Sequence, residues 1–189
     1  MRTFFKKATT SGAEDGVIPT IDGYSNTMRL VVGALLGSIA VIFQSAGIYT
    51  GFGYVLSMMS TGPLVLASLL ALRIGVMTYF TTIFLLAMFQ PSEVLVFTFT
   101  TGLLGLSLGI GLKYLKRGII IIPFAALCLT LGISVLLYGF KFPILGPSVT
   151  SSFNGMVLLG TLAFSVLYSW IWKRLSISGF KLLNKVISR

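Results

Sequence analysis

Histidine is missing from this 189-residue chain, cysteine occurs once, and four acidic residues stand against 14 lysines and arginines. With no imidazole and a single thiol, Cys128, neither a disulfide framework nor a Cys/His metal site can be assembled. Glu14, Asp15 and Asp22 all precede the first long apolar run, which leaves Glu93 as the one acid of the membrane region. Intramembrane hydrolysis calls for a base, a metal or a carboxylate pair. The chain is therefore expected to be no enzyme, with no cofactor and no metal. Cys128 lies inside an apolar run and reads as a small buried hydrophobe, not a nucleophile. A Gly-x-x-x-x-Gly-Lys-Ser/Thr nucleotide loop is also missing, so ATP energy would have to come from a partner.

What is abundant is apolar: 56% of residues are hydrophobic, 10% are charged, and the mean hydropathy is +0.99. That is too apolar for a soluble domain and too long for a single-span anchor, so a polytopic membrane protein is expected. The basic excess lies between apolar runs and at the ends. It suits orientation and contact with anionic lipid headgroups, and no nucleic-acid partner is expected.

The stretch QPSEVLVFTFTTGLLGLSLGIGLKYLKR, residues 90–117, combines a loop, a span and a charged stop. Residues 94–112 are uncharged and long enough, at about 1.5 Å per residue, to cross a hydrocarbon core of about 30 Å. Thr98, Gly102, Gly105 and Gly109 fall on one narrow stripe of that helix. Small residues let backbones approach in lipid, so the stripe reads as a helix-packing groove, or else as a surface against which a ligand rests.

The order of the chain predicts an all-α, six-transmembrane-helix bundle. Residues 1–28 are polar and mixed, with no apolar core of signal-peptide length, and read as a cytoplasmic tail. Span one covers about residues 30–47, with a small-residue face of Gly33, Ala34, Gly37 and Ser38 near its start and Gln44 near its end. That face packs inside the protein or docks a membrane partner; Gln44 is expected to point into the bundle or a cavity. Span two, to about Leu72, is interrupted by Gly62 and Pro63, where a kink or a discontinuous helix is expected. Span three covers residues 75–90, span four 94–112, and span five about 118–140 with Pro123 in its first turns. Span six covers about 151–172 and closes on Trp170 and Trp172, the place indoles favour at an interface. In residues 174–189, apolar residues hold one helical face and Lys181, Lys185 and Arg189 the other, which predicts a basic amphipathic helix on the membrane surface or against a cytoplasmic partner.

Charge sets the topology. Assigning alternate loops to opposite sides puts Arg2, Lys6, Lys7, Arg29, Arg73, Lys113, Lys116, Arg117, Lys173, Arg174, Lys181, Lys185 and Arg189 on one side and leaves Lys141 as the exception. By the positive-inside rule both termini are expected in the cytoplasm and the protein in the plasma membrane. The opposite side holds Glu93 and Lys141, each near a proline. They either tie two loops together or face an ionisable ligand, and an ionisable group beside a membrane cavity is seldom idle.

In its architecture, and in the segments RLVVGALLGSIAVIFQ, STGPLVLASLLALRIGVMTYF and PSEVLVFTFTTGLLGLSLGIGL, the chain resembles the S component of energy-coupling factor transporters. The resemblance implies uptake of a vitamin or similar small nutrient. It also implies a transmembrane coupling protein over two cytoplasmic ATPases, docked through a small-residue pattern on the first helix. Gly33, Ala34, Gly37 and Ser38 occupy the matching place, with glycine standing where that family has alanine. The ligand region implied in the outer half contains Tyr49, Gln90, Glu93, Tyr138, Lys141 and Asn154. A membrane scaffold or assembly protein is the competing reading, supported by the scarcity of polar groups in the spans. A self-contained channel or carrier is weaker, because no inverted repeat and no mid-membrane charge is seen.

Overall fold

The computed structural model describes residues 25–47, 53–115, 118–142, 144–145 and 154–187. Most of the N-terminal tail and Tyr49 lie outside the described residues, as do the side chains of Lys181, Lys185 and Arg189. The described chain is helical and contains six helices long and apolar enough to cross a membrane: Asn26–Ala46, Gly53–Leu70, Leu72–Phe89, Pro91–Tyr114, Gly118–Gly139 and Gly155–Gly179. It is a multi-pass helical membrane protein.

Three of these spans are interrupted. The first is the single helix α1 (Asn26–Ala46), started by Ser25, whose hydroxyl accepts from the Met28 N–H. The second is α2 (Gly53–Met59) and α3 (Thr61–Leu70), separated at Ser60 just before Gly62 and Pro63. Ala71, extended, is all that separates α3 from α4 (Leu72–Phe89). The fourth span divides at Thr100 into α5 (Pro91–Phe99) and α6 (Thr101–Tyr114). This break was not foreseen. The β-branched residues Val94, Val96, Thr98, Thr100 and Thr101 are weak helix formers, and at the break the Thr100 hydroxyl donates to the Val96 carbonyl at 2.6 Å. The fifth span is α7 (Gly118–Ser134), which widens into a π turn over Val135–Gly139.

The sixth span is part of α8 (Gly155–Ile187), a single helix of 33 residues. At about 1.5 Å per residue it is roughly 50 Å long, more than a bilayer with its headgroups. No break separates the span from residues 174–187, where the sequence pattern set a boundary. At the end of the sixth span Trp172 turns into the bundle. It is buried against Tyr168, ring centroids 6.3 Å apart, because Gly62 leaves room for it: a Cβ on Gly62 would sit 2.9 Å from the indole. Trp170 stays exposed, with the Arg174 guanidinium 4.7 Å above its ring.

The outer surface is as apolar as the core, which is built on Leu64, Leu104, Leu108 and Leu129. Phe80, Phe84, Met88, Ile119, Met156 and Leu159 are exposed, whereas Ser60, Thr61, Ser68, Thr82 and Thr101 are buried. That distribution suits a lipid surround, in which large apolar side chains face outward and small ones let helices touch. Ser68 and Thr82 are satisfied within their own helices, donating to the Leu64 and Thr78 carbonyls at 2.8 Å, whereas the buried hydroxyls of Ser165, Ser169 and Ser176 on the sixth span have no partner among the described residues. The second span is the centre, 61% buried against 22% for the sixth. Its residues Leu64 and Ser68 fill the space over Gly105 and Gly109, and Ser68 also abuts Gly75. The glycine stripe of the fourth span is therefore a packing groove.

The small-residue face of the first span divides in two. Gly33 and Gly37 face inward onto α4, where a Cβ at Gly33 would meet Ile74 Cγ2 at 2.5 Å and one at Gly37 would meet Thr78 Cγ2 at 3.3 Å. The Thr78 hydroxyl donates to the Gly33 carbonyl at 3.2 Å. Ala34 and Ser38 are exposed on the outer side beside Val31, Leu35 and Ile42, with the Ser38 hydroxyl donating to the Ala34 carbonyl.

Candidate functional site

The interruptions at Ser60 and Thr100 both surround one fully buried side chain, Gln44, two residues before the end of α1. Its Oε1 accepts from the Ser60 hydroxyl at 2.8 Å and from the Thr101 hydroxyl at 3.0 Å. The Ser60 hydroxyl also has the Ser57 carbonyl at 2.7 Å as an acceptor for its single proton, and the amide NH2 points the other way, toward α5. There Nε2 donates to Glu93 Oε2 at 2.7 Å. One amide thus joins α1, the α2–α3 junction and both halves of the fourth span.

Glu93 owes its place to the turn before it. Pro91 opens α5 with a backbone angle already suited to a helix, and Glu93 falls in the first turn, where the helix dipole favours a carboxylate. The Gln44 amide donates to this carboxylate. Such a bond to a charged group contributes about 1.5–3 kcal/mol. Among the described residues no other polar group pairs with the Glu93 carboxylate, while the Glu93 N–H donates to the Gln90 carbonyl at 3.0 Å.

Beside the carboxylate is a cavity of about 390 Å³. Gly47, Tyr54, Ser57 and Met58 line it from the first two spans, and Glu93, Val96, Thr100 and Thr101 from the fourth. Leu129 and Ile133 close it from α7, Phe142, Ile144 and Leu145 from the chain after the π turn, and Phe164 and Tyr168 from α8. Phe164 and Tyr168 stack at 5.5 Å with 12° between their planes, and the Tyr168 hydroxyl donates to the Met58 carbonyl at 3.1 Å. The volume and the apolar lining with a few polar groups match a small-molecule site.

Lys141 shapes this wall without lining it. It is exposed and has the positive φ of 51° that L residues rarely adopt. The reversal there lets the Phe142 N–H return to the Leu136 carbonyl at 2.9 Å and brings Phe142, Ile144 and Leu145 to the cavity.

Of the residues expected at the site, Glu93 lines the cavity. Gln90 is half-buried between α4 and α5, where its N–H donates to the Leu86 carbonyl; Tyr138 is half-buried in the π turn. Asn154 is exposed and caps the start of α8, accepting from the Met156 N–H at 2.9 Å. Neither Gln90, Tyr138, Lys141 nor Asn154 lines the cavity, and Tyr49 lies outside the described residues. Glu93 and Lys141 do not pair: the carboxylate is engaged by Gln44.

Sequence reasoning anticipated that Gln44 points inward but missed its partners. Ser60 and Thr101 belong to the hydroxyl pairs Ser60-Thr61 and Thr100-Thr101, but the unbroken third span carries the same kind of pair at Thr81-Thr82, so the pattern did not single them out. Phe164 and Tyr168 were not distinguishable from lipid-facing aromatics.

No protein-family model, no curated protein and no solved structure matches the chain. The fold and the site together define a class: a six-span helical membrane protein with a carboxylate-bearing cavity at the end of the bundle where α1 and α4 finish.

Proposed function

We propose that the protein is the membrane-embedded binding subunit for uptake of a vitamin or similar small nutrient, held in the plasma membrane with both termini in the cytoplasm. The carboxylate of Glu93, fixed by Gln44 at the edge of a cavity of about 390 Å³, is the observation that carries this reading. Interrupted helices and buried polar groups are tolerated at membrane depth where they line a cavity. The charge pattern assigns that end of the bundle to the outside, where nutrient is captured. A scaffold would have no use for such a cavity.

The chain binds without catalysis and hands its ligand inward when a separate coupling protein, driven by two cytoplasmic ATPases, reorients it. In this reading Gly33 and Gly37 keep α1 against α4, while the outer face bearing Ala34 and Ser38 meets the coupling protein. Co-purification from the native membrane tests the hand-over. Recovery of a transmembrane protein and ATPases, lost with Ala34→Leu and Ser38→Leu while the variant remains folded, is expected. Ligand uptake by the purified chain alone in vesicles would contradict the dependence on a coupling module.

A further inference from the structure

We infer that the cavity selects a cationic ligand: a protonated amine or quaternary nitrogen carried on a flat apolar body. The inference rests on the reading of the cavity as a ligand site and adds its charge class.

Glu93 is the one charged residue among those lining the cavity. Its Oε2 is held by Gln44, and Oε1 accepts from none of the described residues. A carboxylate with one oxygen fixed and one unpaired, in surroundings less polar than water, attracts a cation more strongly than it would at a surface. Tyr54, Phe142, Phe164 and Tyr168 also line the space, and an aromatic face within reach of a cation adds to the attraction. Among the described residues no lysine or arginine lines the space, and Lys141 is exposed outside it. An anionic nutrient would meet Glu93 with no compensating base. The chain as a whole carries a net charge of +10, so a negative cavity is a local property, opposed by the rest of the molecule.

Glu93 and Val96 are three residues apart on α5 and both line the cavity. A thiol at position 96 therefore reports the potential beside the carboxylate. The full-length protein with Cys128→Ala and Val96→Cys, in nanodiscs, is treated with two methanethiosulfonates of similar size, one bearing trimethylammonium and one bearing sulfonate. After normalising to a small thiol in solution, the cationic reagent is expected to react about tenfold faster than the anionic one. Glu93→Gln is expected to return the ratio to that of the free thiol. Ser57→Cys, from the opposite wall, repeats the test should Val96→Cys not fold.

A ratio at or below the free-thiol value with Glu93 present, or a cationic preference that survives Glu93→Gln, overturns the inference. So does an absence of reaction with both reagents at both positions, because the cavity then admits no water-borne ligand. Loss of the coupling partner leaves the labelling ratio unchanged, so failure of the uptake reading is distinguishable from failure of this one.

Discussion

Gln44 and Glu93, 49 residues apart in the chain, share a hydrogen bond of 2.7 Å that brings the end of the first span to the start of the fourth. The same amide accepts from the Thr101 hydroxyl and shares the Ser60 proton with the Ser57 carbonyl, so its removal leaves Glu93 and Thr101, on two other segments, short of a partner. A buried polar group left without a partner costs about 1–3 kcal/mol. Gln44→Leu is therefore expected to lower stability by about 1–3 kcal/mol in thermal unfolding in detergent. In a double-mutant cycle with Glu93→Gln the two changes should be non-additive by at least about 0.5 kcal/mol. Additive effects would mean that the two side chains do not act together.

The two halves of the first span's small-residue face should separate experimentally. Gly33→Leu drives a side chain into Ile74 and is expected to destabilise by about 1–3 kcal/mol or to prevent assembly. Ala34→Leu adds bulk on the exposed side and should leave the melting temperature within about a degree or two. Equal destabilisation by both would contradict the inward orientation of Gly33.

Lys141 offers a backbone test. A residue with a side chain costs about 1–2 kcal/mol in the left-handed region, a cost that glycine avoids. Lys141→Gly should fold as well as or better than the parent, and Lys141→Val should be less stable, since a branched Cβ is least tolerant of positive φ. If Lys141 acted mainly through its charge, Gly and Val would behave alike.

The two tryptophans closing the sixth span should differ sharply. Trp172 is packed into the core over Gly62, so Trp172→Ala is expected to cost about 3–5 kcal/mol. Trp170 is 43% exposed, and its replacement should cost under about 1 kcal/mol through loss of the Arg174 contact. Near-equal losses would refute the burial difference.

These cases also indicate what the sequence could reveal. Span number was legible because each apolar run is long, uncharged and bounded by Lys, Arg, Pro or Gly. The break near Gly62 and Pro63 was legible from residue type. The break at Thr100 was not, because β-branched residues also occur in unbroken membrane helices. Glu93 stood out because no other acid lies among the spans. Its partners depend on which helices meet, and nothing in the local sequence pairs residue 44 with residues 60, 93 and 101. The inward packing of Trp172 was not legible, because the space that receives its indole is left by Gly62, more than 100 residues away.

Native mass spectrometry of the gently purified protein, alongside Glu93→Gln, tests the central claim most directly. A stoichiometric small-molecule adduct on the parent, lost or strongly reduced in the variant, is the predicted result. A clean apo mass for protein taken from nutrient-replete cells, or an adduct unaffected by Glu93→Gln, would contradict a ligand site built on Glu93.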